Sequence, residues 1–144
     1  MFNKILNFFQ PTHKSPVNAK HSVLVVEDTD VDRSLIEKTL AREGYQVLIA
    51  KNGVEGLEIA KTQKPNAIVL DCEMPLMGGI EMCQRLRADK NLKNIPVIFL
   101  TSIDTPKNVV ECFEAEATNF LTKPINSRTL IQEVKNVLKE NIIP

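Results

Sequence analysis

The chain has 144 residues, enough for one domain with a sizeable core, and its 43% hydrophobic and 25% charged content is ordinary for a soluble globular protein. Its 18 basic and 18 acidic side chains balance, so there is no bulk positive field to draw in DNA or RNA and no nucleic-acid partner is expected. Three cysteines, Cys72, Cys83 and Cys112, odd in number and without metal-ligand spacing, argue against a disulfide framework and for a reducing, cytoplasmic setting.

Residues 1–21 read as a flexible or partner-docking tail. Phe2, Ile5, Leu6 and Phe9 recur at helical intervals, but a helix this short needs a surface to lie on. With no long apolar run and no small-residue cleavage site, neither stable membrane insertion nor secretion is expected.

Ser22 to Val26 reads as a first strand ending in the acidic pair Glu27-Asp28. A helix from Asp30 to about Glu43 follows, with Val31, Leu35, Ile36 and Leu40 as its core-facing stripe, and Gly44 stops it. Gln46 to Ala50 is the second strand. Asn52-Gly53 turns into a second helix, Val54 to Lys61, with Val54, Leu57 and Ala60 inward. The apolar run Ala67 to Leu70, bounded by polar residues, has the pattern of a strand buried on both faces of a parallel sheet, and it ends in Asp71.

Met74-Pro75 and Gly78-Gly79 alternate restricted and permissive backbone in the loop after it, before a helix from about Gly79 to Ala88. The fourth strand, Ile95 to Leu100, ends in Thr101-Ser102. Thr105-Pro106 starts a fourth helix, with Thr105 as cap, Val109, Val110 and Phe113 inward and Lys107, Glu111 and Glu114 outward. A last strand, Ala117 to Thr122, runs into Lys123-Pro124. The final helix, Ser127 to Lys139, turns Leu130, Val134, Val137 and Leu138 inward. Cys83 and Cys112 read as small apolar fillers on their helices, and Cys72, beside Asp71, as at most an adventitious oxidation site.

Strand and helix thus alternate five times, which predicts a doubly wound, three-layer α/β fold over residues 22–140, with a short tail at 141–144. A parallel sheet brings every strand end to one edge, where open α/β sheets place their chemistry. Here those ends deliver an acid pair, a lone acid, a hydroxyl pair and a lysine. Taken singly, Asp71 also reads as a turn cap, Thr101 as a capping hydroxyl and Lys123 as a solvated surface lysine. Together they point to one site.

In order, spacing and strand-end placement, these residues resemble the receiver domain of two-component response regulators, in particular the stand-alone, chemotaxis-type (CheY-like) receivers, over about residues 22–139. The resemblance implies a flavodoxin-like, five-stranded parallel sheet of order 2-1-3-4-5. It also implies a phosphoryl group accepted on Asp71 from a histidine kinase or phosphotransfer protein. Mg²⁺, or Mn²⁺ in its place, would be held by Glu27, Asp28, Asp71 and the backbone carbonyl of Glu73. Thr101 and Lys123 would act with Asp71 in the transfer, Thr101 and Phe120 would form the switch, and Pro124 would carry the family's cis peptide. Glu27, one methylene longer than the Asp of many relatives, suits an outer-sphere role. The Glu73 side chain, at the mouth of the site, would tune phosphoryl lifetime.

The expected activity is self-catalysed phosphoryl transfer and slow dephosphorylation rather than metabolic catalysis. Only five residues follow the last helix, so output is expected through phosphorylation-dependent binding of a downstream target protein by a monomer or weak dimer, with a phosphatase as a further partner. The chief alternative is a phosphorylation-independent pseudo-receiver serving as a scaffold. A hydrolase using Asp71 as nucleophile would need a substrate pocket that these short loops do not supply. A flavin carrier would need a hydroxyl-rich phosphate loop where Glu27-Asp28 stands.

Overall fold

The computed structural model describes residues 21–102 and 106–140. Strands and helices alternate as β1 (Ser22–Val26), α1 (Asp30–Arg42), β2 (Gln46–Ala50), α2 (Gly53–Gln63), β3 (Ala67–Asp71), α3 (Gly79–Ala88), β4 (Val97–Thr101), α4 (Pro106–Glu114), β5 (Asn119–Thr122) and α5 (Ser127–Val137). All neighbouring strands pair in parallel in the order β2-β1-β3-β4-β5. This is the doubly wound, flavodoxin-like arrangement that the resemblance implied. The tail stripe at Phe2, Ile5, Leu6 and Phe9, the proposed cap Thr105 and residues 141–144 lie outside the described residues.

Because strand side chains alternate between faces, each central strand feeds two cores. Leu24, Val26, Ile68, Leu70 and Phe99 pack with Leu57, Ala60, Met82, Leu86 and Cys112 on one side. Val23, Val25, Val69, Ile98 and Leu100 pack with Ile36, Leu40, Leu130 and Val134 on the other. Every residue of β3 and β4 is buried, which is why those segments are continuous apolar runs. Asn52 and Asn126 cap α2 and α5, their side-chain oxygens accepting from Glu55 N at 2.8 Å and Thr129 N at 2.9 Å. At the edge opposite the strand ends that carry the acids, Glu140 accepts from Tyr45 Oη at 2.7 Å and pairs with His21 Nδ1, joining the start of β1 to the segment after α5.

Several helix positions depart from their expected faces. Val31 and Leu35 are 76% and 42% exposed, leaving Ile36 and Leu40 to anchor α1. Val54 is exposed at the first turn of α2, while Leu57 and Ala60 are buried. On α4 the inner face is Cys112, with Ala115 just beyond it, whereas Val110 and Phe113 are half exposed. Apolar spacing defines a stripe; where its edges meet solvent depends on how the helix is rolled against the sheet.

Candidate functional site

The site grows from the carboxyl ends of β1, β3 and β5. Val26 lies beside Leu70 in the register of β1 and β3, so Glu27, the next residue, stands beside Asp71. Glu27 is completely buried and Asp71 is 4% exposed, whereas Asp28 is exposed to solvent. The turn after β1 is braced locally: Thr29 N donates to Glu27 Oε2 at 3.0 Å, and Arg33 Nη1 donates to the Glu27 carbonyl at 2.8 Å while pairing with Asp30. Carboxylate oxygens of Glu27, Asp28 and Asp71 lie within 4.8 Å of one another, near enough to share one cation.

Lys123 enters from the end of β5, immediately before a cis Lys123–Pro124 peptide bond. Its backbone N donates to the Thr101 carbonyl at 2.8 Å, extending the β4–β5 ladder beyond the last paired residues. Its Nζ lies 2.9 Å from Glu27 Oε1, 3.3 Å from Asp32 Oδ2 and 3.5 Å from Asp71 Oδ2. The contact with Glu27 is an ion pair without hydrogen-bond geometry, so Glu27 Oε1 is a buried oxygen with no hydrogen bond. Burial works against charge on Lys123, but the close ion pair with Glu27 and the charge of Asp71, then Asp32, outweigh it and hold the ammonium well above its usual range.

The same neighbours act on Asp71 in the opposite sense. Burial and the Glu27 charge push its carboxyl up to about 7, only partly opposed by the Glu73 N–H, which donates to Asp71 Oδ1 at 3.2 Å, and by Lys123. Three carboxylates, Glu27, Asp32 and Asp71, thus share one ammonium, and Asp28 clusters with two of them. A hard divalent cation with oxygen ligands fits this donor set and this excess of negative charge.

Thr101 is 2% exposed and ends β4 one strand over from Asp71. It lines a cleft of about 180 Å³ with Cys72, Glu73, Ile80, Glu111 and Cys112. Glu73 is exposed, and its side chain accepts from Ser102 Oγ at 3.2 Å. Phe120 is half-buried on β5 and meets Phe113 edge to face, with ring centroids 5.9 Å apart at 82°.

The loop between β3 and α3 is shaped by close backbone approach. Gly79 N donates to the Cys72 carbonyl at 3.0 Å, and a Cβ on Gly79 would lie 2.2 Å from the Asp71 carbonyl oxygen, so only glycine fits. Leu76, with φ 69° and 82% exposure, holds the left-handed conformation that a branched apolar residue seldom adopts.

Two contributors were not singled out from sequence. Asp32 bridges to Lys123; its four-residue spacing from Asp28 was the available signal. Ser102 holds Glu73, and it was visible only as the second hydroxyl of a pair.

A doubly wound parallel sheet with three clustered carboxylates and an inward lysine at its carboxyl edge defines an acidic, cation-competent α/β site of the kind used for phosphoryl chemistry. The family described as the response regulator receiver domain matches residues 23–135, and the chain belongs to that family. It is 37% identical over 121 residues to the alkaline phosphatase synthesis transcriptional regulatory protein PhoP of Bacillus subtilis, covering 84% of this chain and 50% of that protein. The chain spans about half the length of curated relatives such as this one. Among solved structures it is similar to the chemotaxis protein CheY4 of Vibrio cholerae, at 32% identity and TM-score 0.78, covering 81% of this chain and 98% of that one. It is also similar to the receiver domain of the sensor histidine kinase PA1611 of Pseudomonas aeruginosa, at 28% identity and TM-score 0.78, covering 83% and 98%, a structure with a magnesium ion coordinated in its active-site cleft. Among the described residues, no helix is long and apolar enough to cross a membrane.

Proposed function

We propose that the chain is a phosphorylation-controlled signalling domain that accepts a phosphoryl group on Asp71 from a histidine kinase or phosphotransfer protein and signals by altered protein binding. The observation that carries this reading is the placement of Asp71: a buried strand-end carboxylate clustered with Glu27 and Asp28 and 3.5 Å from Lys123. In the transfer an Asp71 oxygen attacks phosphorus, the bond from phosphorus to the donor breaks, and an acyl phosphate forms. Lys123, already shared among carboxylates, is within reach to pair with the phosphoryl oxygens as they arrive. The Glu73 N–H holds Asp71 Oδ1, which orients the carboxylate. Mg²⁺ is the cation that best suits a site built for phosphate, and Asp28, Asp71, Glu27 and the Glu73 carbonyl would hold it. Once bound, it would supply neutralising charge for the incoming oxygens.

Thr101 is the hydroxyl donor of the switch in this reading, and Phe120 its aromatic, supported by the contact of Phe120 with half-exposed Phe113. The docking surface for the target is then the α4–β5–α5 face. The test is labelling by a small phosphodonor such as acetyl phosphate. Acid-labile, Mg²⁺-dependent incorporation is expected in the natural chain and none in Asp71→Asn. Equal labelling of both would remove Asp71 from its role, and absence of labelling in both would favour a phosphorylation-independent binding module.

A further inference from the structure

Cys72 and Cys112 stand 40 residues apart in the chain, yet their Sγ atoms lie 3.6 Å apart, in van der Waals contact. Cys72 directly follows Asp71 in the loop that shapes the site. Cys112 sits on the inner face of α4, 1% exposed. Both line the cleft of about 180 Å³ that also holds Glu73, Thr101 and Glu111, so the pair lies where the edge of the core borders an opening. Cys83 differs: its thiol donates to the Ala115 carbonyl at 3.1 Å, and it does not line the cleft.

We infer that Cys72 and Cys112 form a dithiol pair that a peroxide or a similar small two-electron oxidant converts to a disulfide, tying the Asp71 loop to α4. A disulfide needs its sulfurs at about 2.05 Å, so the pair must close by about 1.5 Å from its 3.6 Å contact, a displacement within reach of side-chain rotation and a slight shift of α4. With hydrogen peroxide the balance is complete. Two S–H bonds and the O–O bond break, one S–S bond forms, and two electrons and two protons pass to the oxygens, which leave as two waters. Burial disfavours the thiolate at both sulfurs, so the conversion is slow and requires an added oxidant.

The consequence for signalling rests on the phosphoacceptor reading. The bond would join the residue after Asp71 to the helix facing Thr101 across the same cleft, restraining the two elements whose relative shift phosphorylation would drive.

The experiment treats the full chain with hydrogen peroxide, removes the oxidant, unfolds the chain in acidic denaturant, blocks remaining thiols with an alkylating agent and maps the peptides without reductant. The expected result is an intramolecular Cys72–Cys112 link with Cys83 free and alkylated. Both thiols alkylated, a link to Cys83, or dimers joined between chains would overturn the pair. The second reading is acetyl phosphate labelling of Asp71. Oxidation should slow it roughly five-fold, the lower end of ordinary site-to-site coupling, with recovery on adding dithiothreitol and no slowing in Cys112→Ser. A mapped disulfide with an unchanged labelling rate would overturn its regulatory consequence. If the reduced chain takes no label, the phosphoacceptor reading fails instead, and the peptide map alone decides the dithiol.

Discussion

Asp71 is held in an environment that opposes its charge, and the cost is measurable. Its carboxyl titrates near 7 in the folded chain, against 3.8 ordinarily, because burial and Glu27 outweigh Lys123 and the Glu73 N–H. The folded state therefore binds more protons than the unfolded state between those values. Stability contributed at this group is fully present below about pH 4 and is lost as pH rises towards 7. Asp71→Asn should accordingly be more stable than the natural chain at pH 8, by roughly 2–4 kcal/mol in urea unfolding, with the gap closing as the pH falls towards 4. Mg²⁺ should narrow the gap at pH 8, since it stabilises only the chain that keeps the carboxylate. Asp32 provides a second test. Because it shares Lys123 at 3.3 Å, Asp32→Asn leaves the ammonium to Glu27 and Asp71. The Asp71 carboxyl carbon, followed by NMR, should then titrate at a lower pH than in the natural chain.

Among the elements, the β3–α3 connection is the least tolerant of change. A side chain on Gly79 would strike the Asp71 carbonyl at 2.2 Å, while one on the neighbouring Gly78 would meet the Cys72 carbonyl at 3.3 Å and need only a slight adjustment. Gly79→Ala should therefore cost roughly 2–4 kcal/mol in urea unfolding and weaken Mg²⁺ binding, because the loop that carries Asp71 must move; Gly78→Ala should cost about 1 kcal/mol or less. The helices show a complementary lesson. Val31 and Leu35 on α1, and Val110 and Phe113 on α4, sit at apolar positions yet reach solvent, since the anchoring is done by Ile36, Leu40 and Cys112.

At the scale of the whole molecule, the two cores share one sheet but reach different parts of the site. Alternation along β3 and β4 places Asp71 on the side of Val69, towards α1 and α5, and Thr101 on the side of Phe99, towards the cleft beside α4. A phosphoryl group that draws Thr101 towards it would thus pull on the packing beneath α4, and two discrete packings of that side would differ in what they show a partner. Amide chemical shifts measured with a phosphoryl mimic and Mg²⁺ should change over Pro106–Glu114 and Asn119–Thr122, at Phe120 above all, as well as around Asp71. Changes confined to the Asp71 loop would mean that the signal leaves by another face.

Much of this was legible in the chain itself because the relevant physics is local. Short apolar runs bounded by polar and turn residues mark Ser22–Val26, Gln46–Ala50 and the β3 and β4 runs as strands. Once those strands are parallel, Glu27, Asp28, Asp71, Thr101 and Lys123 must share an edge. What the tertiary structure alone decided are the distances between residues remote in sequence. It set the sharing of Lys123 among Glu27, Asp32 and Asp71, the edge-to-face pair of Phe113 and Phe120, and the contact of Cys72 with Cys112. Each depends on the roll of a helix against the sheet or on the path of a loop across it. A rotation of one residue's arc, about 100° in an α-helix, exchanges a buried position for an exposed one without altering the apolar spacing that the sequence displays.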